Sequence, residues 1–291
     1  MSATRWKIWN ALMLCLTGFA VAATEPFFFV QLSDPQLGMF TDNRDFTQET
    51  ANLEFAVATI NRLRPAFVVV TGDLVNQPGH AAQIHEYQRI IHQIAPDIPV
   101  HSLPGNHDVG NHPTAASVAA YTNHFGPDHY TFRHDSFVGI GLNSTLIHSP
   151  QHAPALAAAQ EQWLASELQQ ARAAGARHIV IFAHHPWFLK SADEPDEYFN
   201  IPAEHRRRHL QWFREAGVTH LFSGHYHRNA VGRDGDLEAV TTGPVGMPLA
   251  GGKSGLRIVV VRDEGLAHRY YDFGELPKTV DLPVPAATGK Q

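Results

Sequence analysis

Five short clusters along the chain carry residues that can do chemistry: Asp34-Pro35-Gln36, Gly72-Asp73, Gly105-Asn106-His107-Asp108, His184-His185-Pro186 and Gly224-His225-Tyr226-His227. Imidazole, carboxylate and amide oxygen together suit borderline cations such as Mn, Fe or Zn. Two imidazoles one residue apart, as in His225 and His227, can address cations from a single rigid edge. Two cations about 4 Å apart need an anion between them, and Asp73 has one carboxylate oxygen for each. Asp34, Gln36 and His227 then complete one metal site, and Asn106, His184 and His225 the other. Water bound to such a centre loses its proton near neutral pH and becomes a hydroxide nucleophile. His107, beside Asn106, is placed to act as general acid to the leaving oxygen, with Asp108 orienting its ring. Each cluster alone also reads as a turn, a helix cap or a pair of core imidazoles. Their joint occurrence at the ends of apolar runs is far more specific than any one of them.

The elements that position the clusters follow from periodicity. Phe27–Leu32 is a nearly continuous apolar run, the pattern of a strand buried on both faces. A helix is predicted over Thr47–Arg64, a strand over Ala66–Thr71, a helix over Ala81–Ile94 and a strand over Pro99–Leu103. This alternation implies parallel pairing with right-handed crossovers. Pro113–Phe125 reads as helix, and Tyr130–Arg133 with Phe137–Leu142 as an antiparallel hairpin across Asp135. Helices over Ala153–Ala173 and Ala203–Ala216 alternate with strands over His178–Ala183 and Val218–Phe222. The last strands are Leu237–Thr242, Leu256–Val261 and His268–Phe273. In mixed α/β folds ligands gather beyond the carboxyl ends of strands, and every cluster falls there.

Composition narrows the function. The chain has 291 residues, enough for a large core, and a formal net charge of −6 with no long basic run, which argues against nucleic acid as a partner. Arg5 and Lys7 precede an apolar stretch from Ile8 to Val21, which closes with small residues at Ala20, Ala22 and Ala23. That is the pattern of a secretory signal peptide over residues 1–23, its apolar run being shorter than the roughly 20 residues of a membrane span. The expectation is a periplasmic or secreted protein that does not associate with membranes once the signal is cleaved. Cys15, the single cysteine, lies inside that segment, so a mature chain offers neither disulfides nor thiolate zinc sites.

The series Asp34-x-Gln36, Gly72-Asp73, Gly105-Asn106-His107-Asp108, His184 and Gly224-His225-x-His227 resembles the calcineurin-like metallophosphoesterase family in order and spacing, from about Phe27 to Phe273. The resemblance implies a four-layer α/β/β/α sandwich with two mixed β-sheets, of the metallo-dependent phosphatase kind. It implies a domain over residues 24–280 with a loose tail at 281–291. It also implies two Fe, Mn or Zn ions and phosphoester hydrolysis by in-line attack of metal-bound hydroxide. Substrates would be phosphorylated small molecules or phosphoproteins, and export favours the former. Most members carry Asp-x-His where this chain has Asp34-Pro35-Gln36. The Asp-Pro-Gln start, Asn143-Ser144, Tyr198-Phe199-Asn200 and Phe222–Ala230 are similar to one branch related to a eukaryotic serine/threonine phosphatase, so Gln36 is retained as a ligand. The family places its histidine two residues before Pro186, which selects His184 over His185. Asn143 and Ser144 are expected to brace the site.

Phosphomonoester hydrolysis is the leading reading. The alternatives are a phosphodiesterase or nucleotidase on the same centre, and a metal-binding protein without catalysis, which would have no need of His107. Trp187, Phe188, Tyr198 and Phe199 read either as an aromatic rim over the metals or as loop packing. Gly246 to Ser254 lacks the spacing of a phosphate-binding Gly-x-x-x-x-Gly-Lys-Ser loop and reads as a hairpin turn. Arg206-Arg207-Arg208 reads as a solvated helix face.

Overall fold

Successive residues of the first strand, β1 (Phe27–Leu32), serve two different cores in a computed structural model that describes residues 25–282. Phe28, Val30 and Leu32 pack outward under helices, while Phe29 packs inward against a second sheet, as the two-residue period of a strand requires. Residues 1–24, which include the stretch read as a signal peptide, and residues 283–291 of the expected tail lie outside the described residues.

The chain continues through α1 (Thr47–Leu63), β2 (Val68–Val70), α2 (Ala81–Ile91), β3 (Val100–Ser102), α3 (Asn106–Val109) and α4 (Ala115–Phe125). It then runs through β4 (Tyr130–His134), β5 (Phe137–Gly141), α5 (Ser144–His148), α6 (Pro154–Ala173), β6 (His178–Phe182) and α7 (Ala203–Ala216). It closes with β7 (Val218–Ser223), β8 (Ala230–Asp234), β9 (Leu237–Thr241), β10 (Gly255–Arg262) and β11 (Gly265–Asp272). One sheet has the order β11-β10-β1-β2-β3 and the other β4-β5-β6-β7-β9-β8. In the first, β1, β2 and β3 are parallel and β10 and β11 antiparallel; in the second, β5, β6, β7 and β9 are parallel with antiparallel edges.

Helices α1 and α2 cover the outer face of the first sheet through Leu53, Val57, Ile60, Tyr87 and Ile90. Helices α6 and α7 cover the second through Leu164, Leu168, Leu210 and Phe213. Between the sheets lies an aromatic layer centred on Phe29, stacked on Phe67 at 4.9 Å and meeting Phe182 and Phe222 edge-on at 5.7 Å. Truncating a wholly buried ring of this kind costs about 3–5 kcal/mol. The result is the α/β/β/α sandwich expected.

Three expectations need correcting. The strand predicted over Ala66–Thr71 is regular only at Val68–Val70, although Ala66 N–H to Phe28 O and Thr71 N–H to Leu32 O prolong its contact with β1. Strand β8 escapes the sequence reading because its polar edge alternates weakly, yet Asp234-Gly235 before β9 is a hairpin signal. Gly246 to Ser254 is not a hairpin turn, because β9 and β10 lie in different sheets and the segment crosses from one to the other.

Candidate metal centre

The first sheet delivers Asp34, Gln36, Asp73 and Asn106 just beyond the ends of β1, β2 and β3, and the second delivers His184, His225 and His227 beyond β6 and β7. Every oxygen donor comes from one sheet and every nitrogen donor from the other. Asp34, Gln36, Asp73, His225 and His227 hold φ angles of 48°, 40°, 51°, 65° and 53°. Left-handed backbone costs non-glycine residues about 1–3 kcal/mol each and collects at functional sites. Gly224 makes room for the approach of the two sheets: a Cβ there would strike Ser33 Oγ and come within 2.5 Å of Asp34 Oδ2.

The side chains converge. His184 Nε2 lies 3.2 Å from Asp73 Oδ2, 3.2 Å from His225 Nδ1 and 3.0 Å from Asn106 Oδ1. His227 Nε2 lies 3.4 Å from Asp34 Oδ1. Ligand atoms of Asp73, His184 and His225 all fall within 4.8 Å of one another, as do those of Asp34, Asp73 and His227. Asp73 belongs to both groups, the position of a bridging carboxylate.

Each imidazole is turned by a main-chain carbonyl. His184 Nδ1–H donates to Thr71 O at 2.9 Å, His225 Nε2–H to Tyr198 O at 3.3 Å and His227 Nδ1–H to Met247 O at 2.6 Å. In the neutral rings this leaves His184 Nε2, His225 Nδ1 and His227 Nε2 as lone-pair donors aimed inward, the arrangement by which proteins fix histidine ligands. Gln36 is wholly buried; its Nε2 donates to Asn76 Oδ1 at 3.0 Å while its Oε1 has no hydrogen-bond partner. A buried amide oxygen without a donor costs about 1–3 kcal/mol, which a cation would relieve. The donor set therefore fits two cations.

The local charges agree. Burial resists an imidazolium at His184, but Asp73 outweighs it and pushes the group up to about 9. Burial likewise presses Asp73 towards protonation, and His184 reverses it, leaving the carboxyl well below its usual range. With no cation bound, a proton on His184 balances the Asp73 charge, and a cation facing His184 Nε2 would take that proton's place. Burial beside His184 drives His225 down to about 3.

His107 hangs over the same centre. Its backbone N–H donates to Asp73 Oδ1 at 2.8 Å, and its ring Nδ1–H donates to Asn76 O at 2.8 Å. Asp108 does not take the place behind that ring given to it from sequence. Its carboxylate accepts the backbone N–H groups of Gly105 at 2.7 Å, Leu74 at 3.0 Å and Val75 at 3.2 Å. It ties the Asp73 loop to the Asn106 loop, and burial with the nearby charge of Asp73 raises it to about 7.

Around the centre, Ser144 Oγ accepts from the backbone N–H groups of His184 at 3.1 Å and His185 at 2.8 Å, the bracing expected of it. Asn143 Nδ2 donates to Asp128 at 2.9 Å, and its Oδ1 caps α5. His185 lies behind the ligands, against His148 and His225. The aromatic quartet divides: Trp187 and Phe188 are wholly buried in the core under α7, while the rings of Tyr198 and Phe199 pack on His225 at 4.9 and 5.5 Å. Arg206 is not part of a solvated face. It is 1% exposed and its guanidinium donates to the carbonyls of Trp187 and Glu194, while Arg207 and Arg208 are exposed. Asn76 went unrecognised, because no spacing marks a residue whose role is to hold other side chains.

Two sheets packed face to face, with paired candidate cation sites sharing a carboxylate beyond their strand ends, define a two-metal phosphoesterase. The chain belongs to the calcineurin-like phosphoesterase family, whose model matches residues 29–229. It is 40% identical over 270 residues to the rat serine/threonine-protein phosphatase CPPED1, covering 88% of this chain and 86% of that protein. Human CPPED1 is 38% identical over 267 residues, with 86% and 85% covered. Among solved structures, a zebrafish dimetal phosphatase superposes with a TM-score of 0.58 at 17% identity, covering 84% of this chain and 99% of that one. The protein is a dinuclear-metal phosphoester hydrolase acting on phosphorylated substrates.

Proposed function

We propose that the protein is an exported phosphomonoesterase with Asp73 bridging two cations. Asp34, Gln36 and His227 would hold one cation, and Asn106, His184 and His225 the other. The observation that carries this is the set of three inward-turned imidazoles, each held from behind by a carbonyl, around a carboxylate shared by both groups. Mixed nitrogen and oxygen donors favour Fe, Mn or Zn over Mg or Ca. When bound, the cations polarise the phosphoryl oxygens and supply an activated water as nucleophile.

The chain's own residues do the rest. With Nδ1–H committed to Asn76, His107 presents Nε2 as the atom that delivers a proton to the departing oxygen. The backbone N–H of the same residue holds Asp73, which fixes the proton donor relative to the shared carboxylate. Asp108 keeps the two loops in register. The monoester preference is supported by the phosphatase names of the relatives, and the periplasmic or secreted location by the leader pattern at residues 1–23.

Purified protein should carry two transition-metal ions by elemental analysis and cleave p-nitrophenyl phosphate faster than bis(p-nitrophenyl) phosphate. Faster cleavage of the diester would assign a phosphodiesterase instead. Tight metal binding with no cleavage across a broad ester panel would leave a metal carrier.

A further inference from the structure

The connection from β6 to α7 is braced far more heavily than a surface loop requires. Glu194 accepts the backbone N–H groups of Leu189 at 2.7 Å, Lys190 at 2.9 Å and Ser191 at 3.3 Å, together with Asn200 Nδ2 at 2.8 Å. Asn200, 1% exposed, takes Glu197 N–H on its Oδ1 at 2.9 Å. The buried Arg206 guanidinium fastens the loop from beneath, and Ile201 N–H to Pro186 O closes its base at 2.9 Å. Ordering a loop of this length is entropically costly. What the bracing holds in place is Tyr198.

Tyr198 is half in solvent, 53% exposed, yet tied to the metal centre at three points. Its carbonyl takes His225 Nε2–H, its ring packs on the His225 ring, and its hydroxyl oxygen accepts from Asn106 Nδ2 at 3.4 Å. Asn106 Oδ1 faces His184 Nε2, so the phenol stands one amide group away from the candidate cation site, on its open side. A hydroxyl can donate once and accept twice. Here it accepts from Asn106, and its own hydrogen finds no acceptor among the described residues.

We propose that Tyr198 is a substrate-binding residue whose phenolic O–H donates to a phosphoryl oxygen of the bound ester. The inference rests on the ligand assignment above and goes beyond it. Asn106 serves twice, its oxygen facing His184 Nε2 and its N–H₂ fixing the phenol, which leaves the O–H free to reach a tetrahedral anion bound beside it. The exposed ring then forms the wall along which the alcohol portion of the ester leaves.

The test compares metal-loaded wild type with Tyr198→Phe, which keeps the ring and its packing. Calorimetric titration with orthophosphate and steady-state hydrolysis of p-nitrophenyl phosphate are measured beside metal content and thermal midpoint. One hydrogen bond to a charged oxygen predicts about a 10- to 100-fold loss of orthophosphate affinity and a matching fall in kcat/KM, with metal content unchanged. Orthophosphate affinity within about twofold of wild type overturns the proposal, as does loss of a metal ion from the variant, which would make the phenol a ligand or a brace. Should wild type cleave no ester, the catalytic reading falls, and the orthophosphate titration still decides the role of Tyr198.

Discussion

Gln36 Nε2 donates to Asn76 Oδ1 over 3.0 Å, and the main-chain oxygen of the same asparagine holds the ring of His107. One residue thus sets the orientation of the proposed amide ligand and of the proposed proton donor. Asn76 is itself pinned, its Nδ2 donating to Asn43 Oδ1 at 2.9 Å, and Gln83 Nε2 reaches that same oxygen at 2.8 Å. This chain of amides lets glutamine stand where most family members have histidine: with Nε2 committed, only Oε1 remains to be offered.

Asn76→Ala removes the side-chain acceptor and leaves the carbonyl that holds His107. Losing such an outer partner typically lowers metal affinity about 10- to 100-fold, and Gln36→Ala should lower it at least as much, for one of the two ions. Chelator competition followed by elemental analysis reads both. Two ions retained by Gln36→Ala at wild-type affinity would remove Gln36 from the ligand set.

His107→Ala should cost little on p-nitrophenyl phosphate, whose leaving group departs without help, and about 10²- to 10⁴-fold on an alkyl phosphate. An equal loss on both substrates would deny His107 the role of general acid. Asp73→Asn should abolish turnover on both; a folded variant with full activity would sink the shared-carboxylate arrangement.

Cation binding should stabilise the fold through the same residues. At a free metal concentration 100 times the dissociation constant, the gain is about 2.7 kcal/mol per site, several degrees in the unfolding midpoint of a chain this size. Calorimetry after chelation and again after adding Mn²⁺ or Zn²⁺ measures it. The increment should shrink in Asp73→Asn; an undiminished one would mean that the ions bind elsewhere.

Acid should destabilise the protein independently of the metals. Burial holds His101, stacked on Phe132 at 3.9 Å, down to about 4, against about 6.5 in an unfolded chain. Between those values the unfolded state binds more protons, so stability falls as pH drops from about 6.5 to about 4 and levels below that. His101→Phe should lose less in urea midpoint between pH 7.5 and pH 5 than wild type does. Equal losses would show that His101 does not contribute.

Gly224→Ala should disable the site without removing a ligand, because the added methyl collides with Ser33 and Asp34. Overpacking of this kind costs about 1–3 kcal/mol. Wild-type metal content and midpoint in this variant would refute the close approach.

The sandwich was legible because its strands are apolar runs with helices at regular intervals between them, and residues 203–216 form the helix as read. The candidate donors could be picked out because each stands shortly after such a run, and the fold brings them together. What escaped depends on chain crossings that no local pattern records. The Asn76 carbonyl reaches a ring 31 positions away, and Asp108 reaches back to Leu74. Arg206 looked solvated beside two other arginines, but the loop after β6 folds over it and supplies carbonyls. Trp187 and Tyr198 share that loop and part company only because the chain folds back between them.

With oxygens supplied by one wall and imidazoles by the other, the centre is a gauge of how the walls sit on each other. Sliding one wall by about 1 Å would change all nitrogen distances against all oxygen distances together, enough to spoil a preorganised constellation, while leaving each wall internally intact. Substitutions in the aromatic layer far from any ligand, such as Phe29→Leu, would then declare themselves first as a change in which cation is preferred.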